Sequence, residues 1–478
     1  MIRPLVRIAA AAICGAIVQA TTPAIGAWER FHGDAANRGF ADVATKPAAG
    51  GSLSVPGLGT FALGAGPVIA PDGSVYLGTQ EGKLIALHAD GKPFWSRDID
   101  EGESIVASAA IGADGSVYVI GAKAESKRFG PGIKMATKTT ISSTLHQFSA
   151  GGALLARTSF PARTGTRGAT TAPPNIVDIG GREIILAPAI YKNPNIGGFE
   201  VRLIGILPNN GGVVFDKRVA GLPGVVTGGA GNNFCFIPIS GTIACLINPE
   251  AGQYTPPRGP PPPPPPMPGV GVFTFAGGGA PHVIVSNQRH NIRGFTATSA
   301  AGLTKTFNVH DEGRRLLSPP MTLPDGHTLV GTRSGEIVFT GPNATKMPPV
   351  KGPGAIHGAP TLTVNGFAAV VGDSGLALLR DGKVVSQASL PPSFTSAAAS
   401  RTHVFVSTTD AFITFDADAQ LQLQKFDWVG GGTSPPAIGP DGRVYAIASD
   451  ILFIFPPPLK VSIPLSPGAV LQKDPGGQ

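Results

Sequence analysis

Four aspartates of this 478-residue sequence stand directly before glycine in similar surroundings, and carboxylates are the groups from which calcium sites and acid–base pairs are built. They are Asp72, Asp114, Asp325 and Asp441. Asp-Gly pairs also make hairpin turns, because Asp accepts a hydrogen bond from nearby backbone and Gly supplies a positive φ angle. Turn formation explains all four, so we predict no catalytic or calcium-binding role for them.

Other residue types give no stronger chemical signal. The nine histidines are scattered singly, and His310-Asp311-Glu312 is the one local cluster of metal-ligand types, which we interpret as a solvated loop. No serine lies in a convincing Gly-x-Ser-x-Gly elbow, and no cysteine has a plausible histidine partner. The glycine-rich runs Gly228–Gly231 and Gly430–Gly432 precede strand-like text, so they lack the helix N-terminus that binds phosphate. We therefore predict no catalytic residue, no bound cofactor and no metal site.

Two cysteines, Cys235 and Cys245, flank a hairpin-like stretch. A turn centred on Ser240 would set them opposite each other. In an oxidising compartment they are a candidate disulfide, and the alternative is two buried thiols that pack as small apolar groups. Two cysteines alone do not make a four-ligand zinc site.

An internal repeat organises the elements that carry these residues. The clearest unit, GPVIAPDGSVYLGTQEGKLIALHADGKPFW from Gly66 to Trp95, consists of alternating strands joined by glycine-containing turns. Related units begin at Ser108, Ser318, Gly358 and Ser434, and weaker ones lie near Ala172, Val226, Val272 and Ser396. The spacing of about 40 residues is that of a four-stranded propeller blade. The period of two excludes a helical solenoid.

The sequence thus predicts an all-β fold, a single β-propeller of four-stranded antiparallel blades over residues 51–455. The unit starts allow eight or nine blades, and eight is favoured. The unit at Ser434 has no fourth strand of its own, whereas Gly51–Gly57 precedes the first unit as a spare strand. We expect the N- and C-terminal segments to share one blade and close the ring.

The Pro-Asp-Gly, Val-Tyr-x-Gly and Gly-x-Leu-x-Ala-Leu motifs with a final Trp resemble the quinoprotein-type (PQQ-like) propeller repeat. Residues Trp28–Gly39 resemble the lead-in before the first blade of such proteins. The resemblance implies the fold but not an activity, because the family contains dehydrogenases that hold pyrroloquinoline quinone and calcium, outer-membrane assembly lipoproteins and other exported proteins.

Departures from the family pattern favour a non-enzymatic, exported branch. The dehydrogenases of this family are expected to be longer, Trp-rich chains with a pair of adjacent cysteines over the cofactor. This chain has 3 Trp, no adjacent cysteines and no Cys-x-x-Cys-His haem motif. The assembly lipoproteins need a lipidated cysteine, and bulky Ile13 precedes Cys14 where a small residue is required.

Residues 1–20 have the pattern of a secretory signal peptide, with Arg3 and Arg7 ahead of an apolar run and small residues up to Ala20. Residues 21–50 form the lead-in. Loss of the two arginines lowers the net charge from +7 to +5, which gives no reason to expect nucleic-acid binding. Without a longer apolar run, we expect a periplasmic or secreted monomer that does not span a membrane.

Three segments stand outside the repeat. Residues 122–143 carry Lys123, Lys127, Arg128, Lys134 and Lys138. We interpret this stretch as a solvated loop, with contact to an acidic partner surface as the alternative. Residues 255–269 contain seven consecutive prolines and are expected to form a stiff polyproline spacer, and the Pro-rich residues 456–478 a disordered tail.

Together these features predict an exported propeller that acts as a binding or scaffold protein in the cell envelope. Its partner would be another envelope protein or a surface polymer. The alternatives are a ligand- or glycan-binding propeller and a PQQ-dependent redox enzyme.

Overall fold

The computed structural model describes residues 28–48, 51–129, 136–163, 166–193, 198–222, 234–236, 244–246, 270–274, 279–286, 291–299, 302–310, 316, 318–341, 345–428, 430–432 and 434–458. All regular secondary structure in these stretches is β. None of it is a helix that is long and apolar enough to cross a membrane. The predicted signal peptide (1–20) and the predicted polyproline spacer (255–269) lie outside the described residues, as does the predicted tail (456–478) beyond Pro458.

The chain begins with two short strands and then forms three blades. The short strands are β1 (Phe40–Ala41) and β2 (Leu53–Val55). Blade 1 consists of β3 (Val68–Ile69), β4 (Val75–Gly78), β5 (Lys83–Leu87) and β6 (Pro93–Asp98). Blade 2 consists of β7 (Ser104–Ile105), β8 (Ala110–Ile111), β9 (Val117–Phe129), β10 (Ala136–Phe148) and β11 (Leu154–Ser159). A small hairpin of β12 (Ala162–Arg163) and β13 (Thr166–Arg167) precedes blade 3, which consists of β14 (Asn175–Asp178), β15 (Glu183–Asn193), β16 (Gly198–Ile206) and β17 (Val213–Leu222).

After a second small hairpin, β18 (Phe234–Phe236) and β19 (Ala244–Leu246), five more blades follow. Blade 4 consists of β20 (Val270–Phe273), β21 (His282–Ser286), β22 (Asn291–Ser299) and β23 (Gly302–His310). Blade 5 consists of β24 (Met321–Thr322), β25 (Thr328–Gly331), β26 (Glu336–Thr340) and β27 (Val350–Lys351). Blade 6 consists of β28 (Thr361–Leu362), β29 (Ala368–Gly372), β30 (Gly375–Arg380) and β31 (Lys383–Ser389). Blade 7 consists of β32 (Ala398–Ser400), β33 (His403–Ser407), β34 (Ala411–Asp416) and β35 (Gln422–Asp427), and blade 8 of β36 (Ala437–Ile438), β37 (Val444–Ala448) and β38 (Ile451–Phe455).

The strands of each blade pair antiparallel and in chain order, except that β7 and β8 of blade 2 both pair with β9. In addition, β1 pairs parallel with β32 of blade 7. Blade 8 receives its fourth strand from the N-terminal region, since β2 pairs with β38 and places Leu53 opposite Ile454. The predicted eight-bladed all-β propeller, with one blade shared between the two terminal segments, is confirmed. The repeat near Val226 is not a ninth blade, because the described residues there form only the β18–β19 hairpin.

The aspartates that precede glycine form the turns that the sequence predicts. In each turn the Asp Oδ1 atom accepts a hydrogen bond from the backbone N–H two residues later, at 2.8 to 3.0 Å. The following glycines have φ between 79° and 88°. The four carboxylates therefore stabilise hairpins in four different blades.

Neighbouring blades are joined by side chains that bond the turn of the next blade. The Trp95 indole donates from Nε1 to the Ala150 carbonyl at 2.8 Å. A Cβ on Gly152 would lie 2.7 Å from that indole, so the turn must carry glycine to let the ring approach. Between blades 8 and 1, the Tyr445 hydroxyl donates to the Ala89 carbonyl at 3.0 Å. These hydrogen bonds link blade 1 to blade 2 and blade 8 to blade 1.

Candidate functional site

The inside of the ring is lined by the chain's own lead-in, residues 28–43, which we call the inner strap. Its carbonyls accept backbone N–H groups from the innermost strands of six blades at 2.6 to 3.0 Å. The donor and acceptor pairs are Ile69 to Trp28, Ile111 to Glu29, Val272 to Ala35, Thr322 to Ala36, Leu362 to Arg38 and Ala399 to Gly39. The acceptors follow the chain in the same order as the blades follow the ring. The strap therefore runs around the inner edges and satisfies donors that an innermost strand leaves unpaired.

The two remaining blades meet the strap through side chains. In blade 3, the Asn175 amide donates to the carbonyls of Ala35 and Val270, both at 2.9 Å. Trp28 belongs to the same buried apolar cluster as Ala437 and Ile438 of blade 8. Seven blades thus bond the strap directly, and blade 8 shares a buried apolar cluster with it.

His32 anchors the strap at its centre and is 0% exposed. Its Nδ1 lies 2.7 Å from the Asn37 carbonyl, and its Nε2 lies 2.9 Å from the Ala397 carbonyl and 3.0 Å from the Thr361 hydroxyl. A neutral ring carries one proton and donates to only one of the two carbonyls; with the proton on Nδ1 it donates to Asn37, and Nε2 can accept from Thr361. Burial lowers the pKa of His32, and the backbone carbonyls of Ala397 and Asn37 oppose that shift only in part.

Asn37 ties the strap to two further blades. Its amide nitrogen donates to the carbonyls of Val270 and Pro320, both at 2.9 Å. His32 and Asn37 have φ of 57° and 56°, the left-handed region that non-glycine residues rarely adopt. Such backbone persists only where surrounding contacts hold it, and here the hydrogen bonds supply them.

The family resemblance raises pyrroloquinoline quinone as a cofactor, and the interior of the ring does not fit it at the level of the strap. At that level six inner strands already donate to the backbone carbonyls of residues 28–43, so those strand donors are not free to hold a quinone. The carboxylate of Asp34 in the strap accepts hydrogen bonds from the side chain and the backbone N–H of Arg38, so it already has partners within the strap. No chemical step is therefore assigned to a quinone.

The basic segment 122–143 is a paired hairpin, and our interpretation of it as a solvated loop was wrong in this respect. β9 and β10 stay in register from Val117–Phe148 out to Phe129–Ala136. Lys123 pairs with Ser142, Lys127 with Lys138, and Arg128 with Thr137. Lys134 lies outside the described residues. The sequence did not reveal these strand extensions, because residues 122–143 are mostly polar or small and therefore show no alternation of apolar and polar residues.

The cysteine pair lies on the β18–β19 hairpin, where the register sets Cys235 opposite Cys245. The turn between them is outside the described residues. β19 runs beside β10, so this hairpin adjoins the basic one. The disulfide itself stays a prediction.

Among the described residues, one group of three side chains has the composition of a metal site: Asp100, Glu103 and His146. Sequence reasoning missed it, because 43 residues separate Glu103 from His146. Of His310-Asp311-Glu312, which we interpreted as a solvated loop, only His310 is described; it ends β23, and its Nδ1 lies 2.8 Å from Asn291 Oδ1.

No family model and no curated protein matches the sequence. Solved structures do match the fold. Quinohemoprotein alcohol dehydrogenase from Comamonas testosteroni aligns with a TM-score of 0.62 at 11% identity, over 91% of this chain and 81% of that one. A europium-containing methanol dehydrogenase aligns with a TM-score of 0.56 at 11% identity, over 88% and 89% of the two chains. BamB from Moraxella catarrhalis aligns with a TM-score of 0.53 at 12% identity, over 84% and 98%. At such identities the likeness shows the fold alone, a β-propeller common to PQQ-dependent dehydrogenases and BamB.

Proposed function

We propose that this chain is an exported binding or scaffold propeller of the cell envelope, and that the basic β9–β10 hairpin is its contact with an acidic partner. The main observation that supports this proposal is the position of the inner strap. It bonds the inner edges of six blades, so the backbone donors that a cofactor at the centre of the ring could use there are already engaged. Binding at an exposed outer element is the activity that this arrangement supports best.

The hairpin has the shape and composition for such a contact. It continues for seven residue pairs past the pair of Ala122 and Ser143, a length of about 23 Å at the usual rise of a strand. Five basic residues and one acidic residue, Glu125, lie between positions 122 and 143. Register positions 123, 125, 127 and 138 share one side of the ladder, so this side has three lysine positions and the single acidic one. The net positive charge of the hairpin attracts an anionic surface, and salt weakens the attraction over a Debye length of about 10 Å.

Export is part of the proposal. Residues 1–20 would be removed as a signal peptide, and the partner would be an envelope protein or surface polymer. The resemblance of the repeats to a family that includes outer-membrane assembly lipoproteins supports this setting. The mass and N-terminal sequence of the protein recovered from the periplasm or medium test it, since cleavage after Ala20 leaves Thr21 first.

Affinity capture from envelope extracts tests the binding role. The wild-type chain is compared with a variant in which Lys123, Lys127, Arg128, Lys134 and Lys138 are replaced by Gln. The matched control replaces five exposed lysines of other blades by Gln: Lys305, Lys346, Lys351, Lys383 and Lys425. We expect wild type and control to retain the same partner and release it in salt, and the hairpin variant to lose it.

The same preparations are examined by absorbance for a quinone chromophore. A stoichiometric chromophore would overturn the non-enzymatic role in favour of a redox propeller. Equal capture by the hairpin variant would overturn the assignment of the surface.

A further inference from the structure

A buried polar cluster lies where the connection from blade 1 enters blade 2. The side chains of Glu103 and His146 are 6% and 0% exposed, and Glu103 Oε2 lies 2.6 Å from His146 Nε2. Asp100, on the same connection, joins them: one ligand-type atom from each of the three residues lies within 4.8 Å of the others. His146 Nδ1 has no hydrogen-bond partner. A buried polar atom without a partner is rare, but Nδ1 points away from the side of the ring on which Nε2 meets the carboxylate, so the cluster itself is defined by Nε2, Glu103 and Asp100.

His146 departs from the repeat at this position. In each blade we compare one residue of the third strand. It lies two positions before the residue that pairs with the first residue of the second strand. In blade 2 Phe148 pairs with Val117, so the compared residue is His146, which pairs with Val119. The equivalent residues in four other blades are apolar, namely Ile85, Val338, Ala377 and Phe453, and blades 4 and 7 have the uncharged Gly294 and Thr414 there. Burying an ionisable pair in place of an apolar side chain costs desolvation energy and gains little stability. The pair therefore calls for a role other than packing.

The backbone is shaped around the Glu103 carboxylate. A Cβ on Gly121 would lie 2.1 Å from Glu103 Oε2, so only glycine leaves room for that oxygen. His32 offers a contrast, since both of its ring nitrogens have partners. At His146 only Nε2 is bonded, and it faces the carboxylate.

We propose that Asp100, Glu103 and His146 bind a first-row divalent cation of the Zn²⁺ type. One imidazole and two carboxylates are ligands that Zn²⁺ takes at about 2.0 to 2.2 Å, with a fourth position left for water. The ion would replace the proton shared between Nε2 and Oε2. Calcium prefers oxygen ligands alone, so the histidine selects against it.

Two basic residues border the site. Arg157 Nη1 lies 3.1 Å from Asp100 Oδ1, and a Cβ on Gly102 would lie 3.3 Å from Lys123 Cε. The side chains of Arg157 and Asp100 are 54% and 37% exposed, so Arg157 can turn into solvent when the cation takes its place. The half-exposed Asp100 also marks the entrance. This site is independent of the proposed role of the hairpin, because it rests on different residues and a different ligand.

Calorimetric titration of the chelator-treated full chain with Zn²⁺ tests the proposal. The chain carries Cys235→Ser and Cys245→Ser, because free thiols bind zinc themselves. We expect one Zn²⁺ per chain and no comparable binding of Ca²⁺. Glu103→Gln and His146→Gln should each weaken Zn²⁺ binding at least about tenfold, since even residues that only support a ligand have effects of that size.

The matched control is His357→Gln, at another histidine–carboxylate pair, where Nε2 lies 3.4 Å from Asp373 Oδ1. We expect it to bind Zn²⁺ as the parent does. Thermal unfolding in chelator checks that each variant is folded. Should a buried variant fail to fold, Asp100→Asn replaces it and must show the loss of affinity. Absence of stoichiometric Zn²⁺ binding, or unchanged binding in folded Glu103→Gln or Asp100→Asn, would overturn the proposal.

Discussion

The chain closes its ring twice with neighbouring N-terminal segments, and the two closures differ in kind. The inner strap bonds the inner strands of six blades through its backbone and anchors itself with the buried His32. β2 lies on the outside, pairs with β38 alone, and leaves Leu53 49% exposed. An outer edge strand needs only extended backbone, whereas the strap needs particular residues at particular φ angles. We therefore expect the inner closure to be sensitive to single substitutions and the outer one to tolerate them.

The largest effect is expected for His32→Ala. The change removes a fully buried ring and leaves the Asn37 carbonyl without its partner, while the Thr361 hydroxyl keeps only its hydrogen bond to the Ala397 carbonyl. Lost hydrogen bonds and the resulting cavity together should lower the free energy of unfolding by about 4 kcal/mol. Urea unfolding followed by tryptophan fluorescence measures it, since Trp28 lies in the strap.

His310→Ala is the control, because His310 is exposed on the outermost strand of blade 4. It should change stability by no more than about 0.5 kcal/mol. Equal losses in the two variants would mean that the strap does not close the ring.

Gly39→Ala tests the backbone geometry of the strap. Gly39 has φ of 64°, and a Cβ there would lie 2.2 Å from His32 Nε2. The combined strain and overlap should cost about 3 kcal/mol. Gly57, just after β2, has φ of 74° but nothing within 4 Å of its Cβ position, so Gly57→Ala should cost only about 1 kcal/mol. Similar midpoints of unfolding for the two variants would contradict the comparison.

The sequence predicted the ring but not the strap, and the reason is the range of the interactions. Asp-Gly turns and alternating strands are local, so each blade can be recognised from about 40 consecutive residues. The missing fourth strand after Phe455 likewise pointed to the shared blade. The strap joins Gly39 to Ala399, and nothing local identifies which donor a backbone carbonyl will meet. Residues 28–39 could be recognised only as a lead-in.

The buried Glu103–His146 pair was missed for a similar reason, although one signal was present. The stretch Leu145-His146-Gln147-Phe148 aligns with Leu84-Ile85-Ala86-Leu87 of blade 1. A histidine at an apolar repeat position is thus visible in the sequence. Its partner is not, because Glu103 lies on a connection between blades that the repeat does not describe.

Acidification should weaken the inner closure before the outer one. Burial holds the pKa of His32 below its ordinary value of 6.5, so the unfolded chain binds a proton at a higher pH than the folded chain does. Below about pH 6.5 the unfolded state gains protons first, and stability falls with falling pH; above it this contribution is complete. We expect a lower urea midpoint at about pH 5 than at about pH 7.5.

The variant His32→Gln separates this residue from other histidines. Burial also lowers the pKa of His282, His357 and His403, so part of the pH dependence should remain. The difference between the two pH values should be smaller in His32→Gln than in wild type. An identical difference would show that His32 does not titrate on unfolding.

The smallest effect is expected at β2, for Val55→Ala. Val55 is half-buried, pairs with Leu452, and its Cγ2 atom lies 2.9 Å from the position of a Cβ on Gly91 of blade 1. Truncation removes two methyl groups but leaves every backbone hydrogen bond of β2, so the loss should be about 1 kcal/mol or less. The urea midpoint should therefore shift far less than in His32→Ala. A loss as large as that of His32→Ala would show that the outer strand depends on its side chains as strictly as the strap does, and that the ring has two equivalent closures.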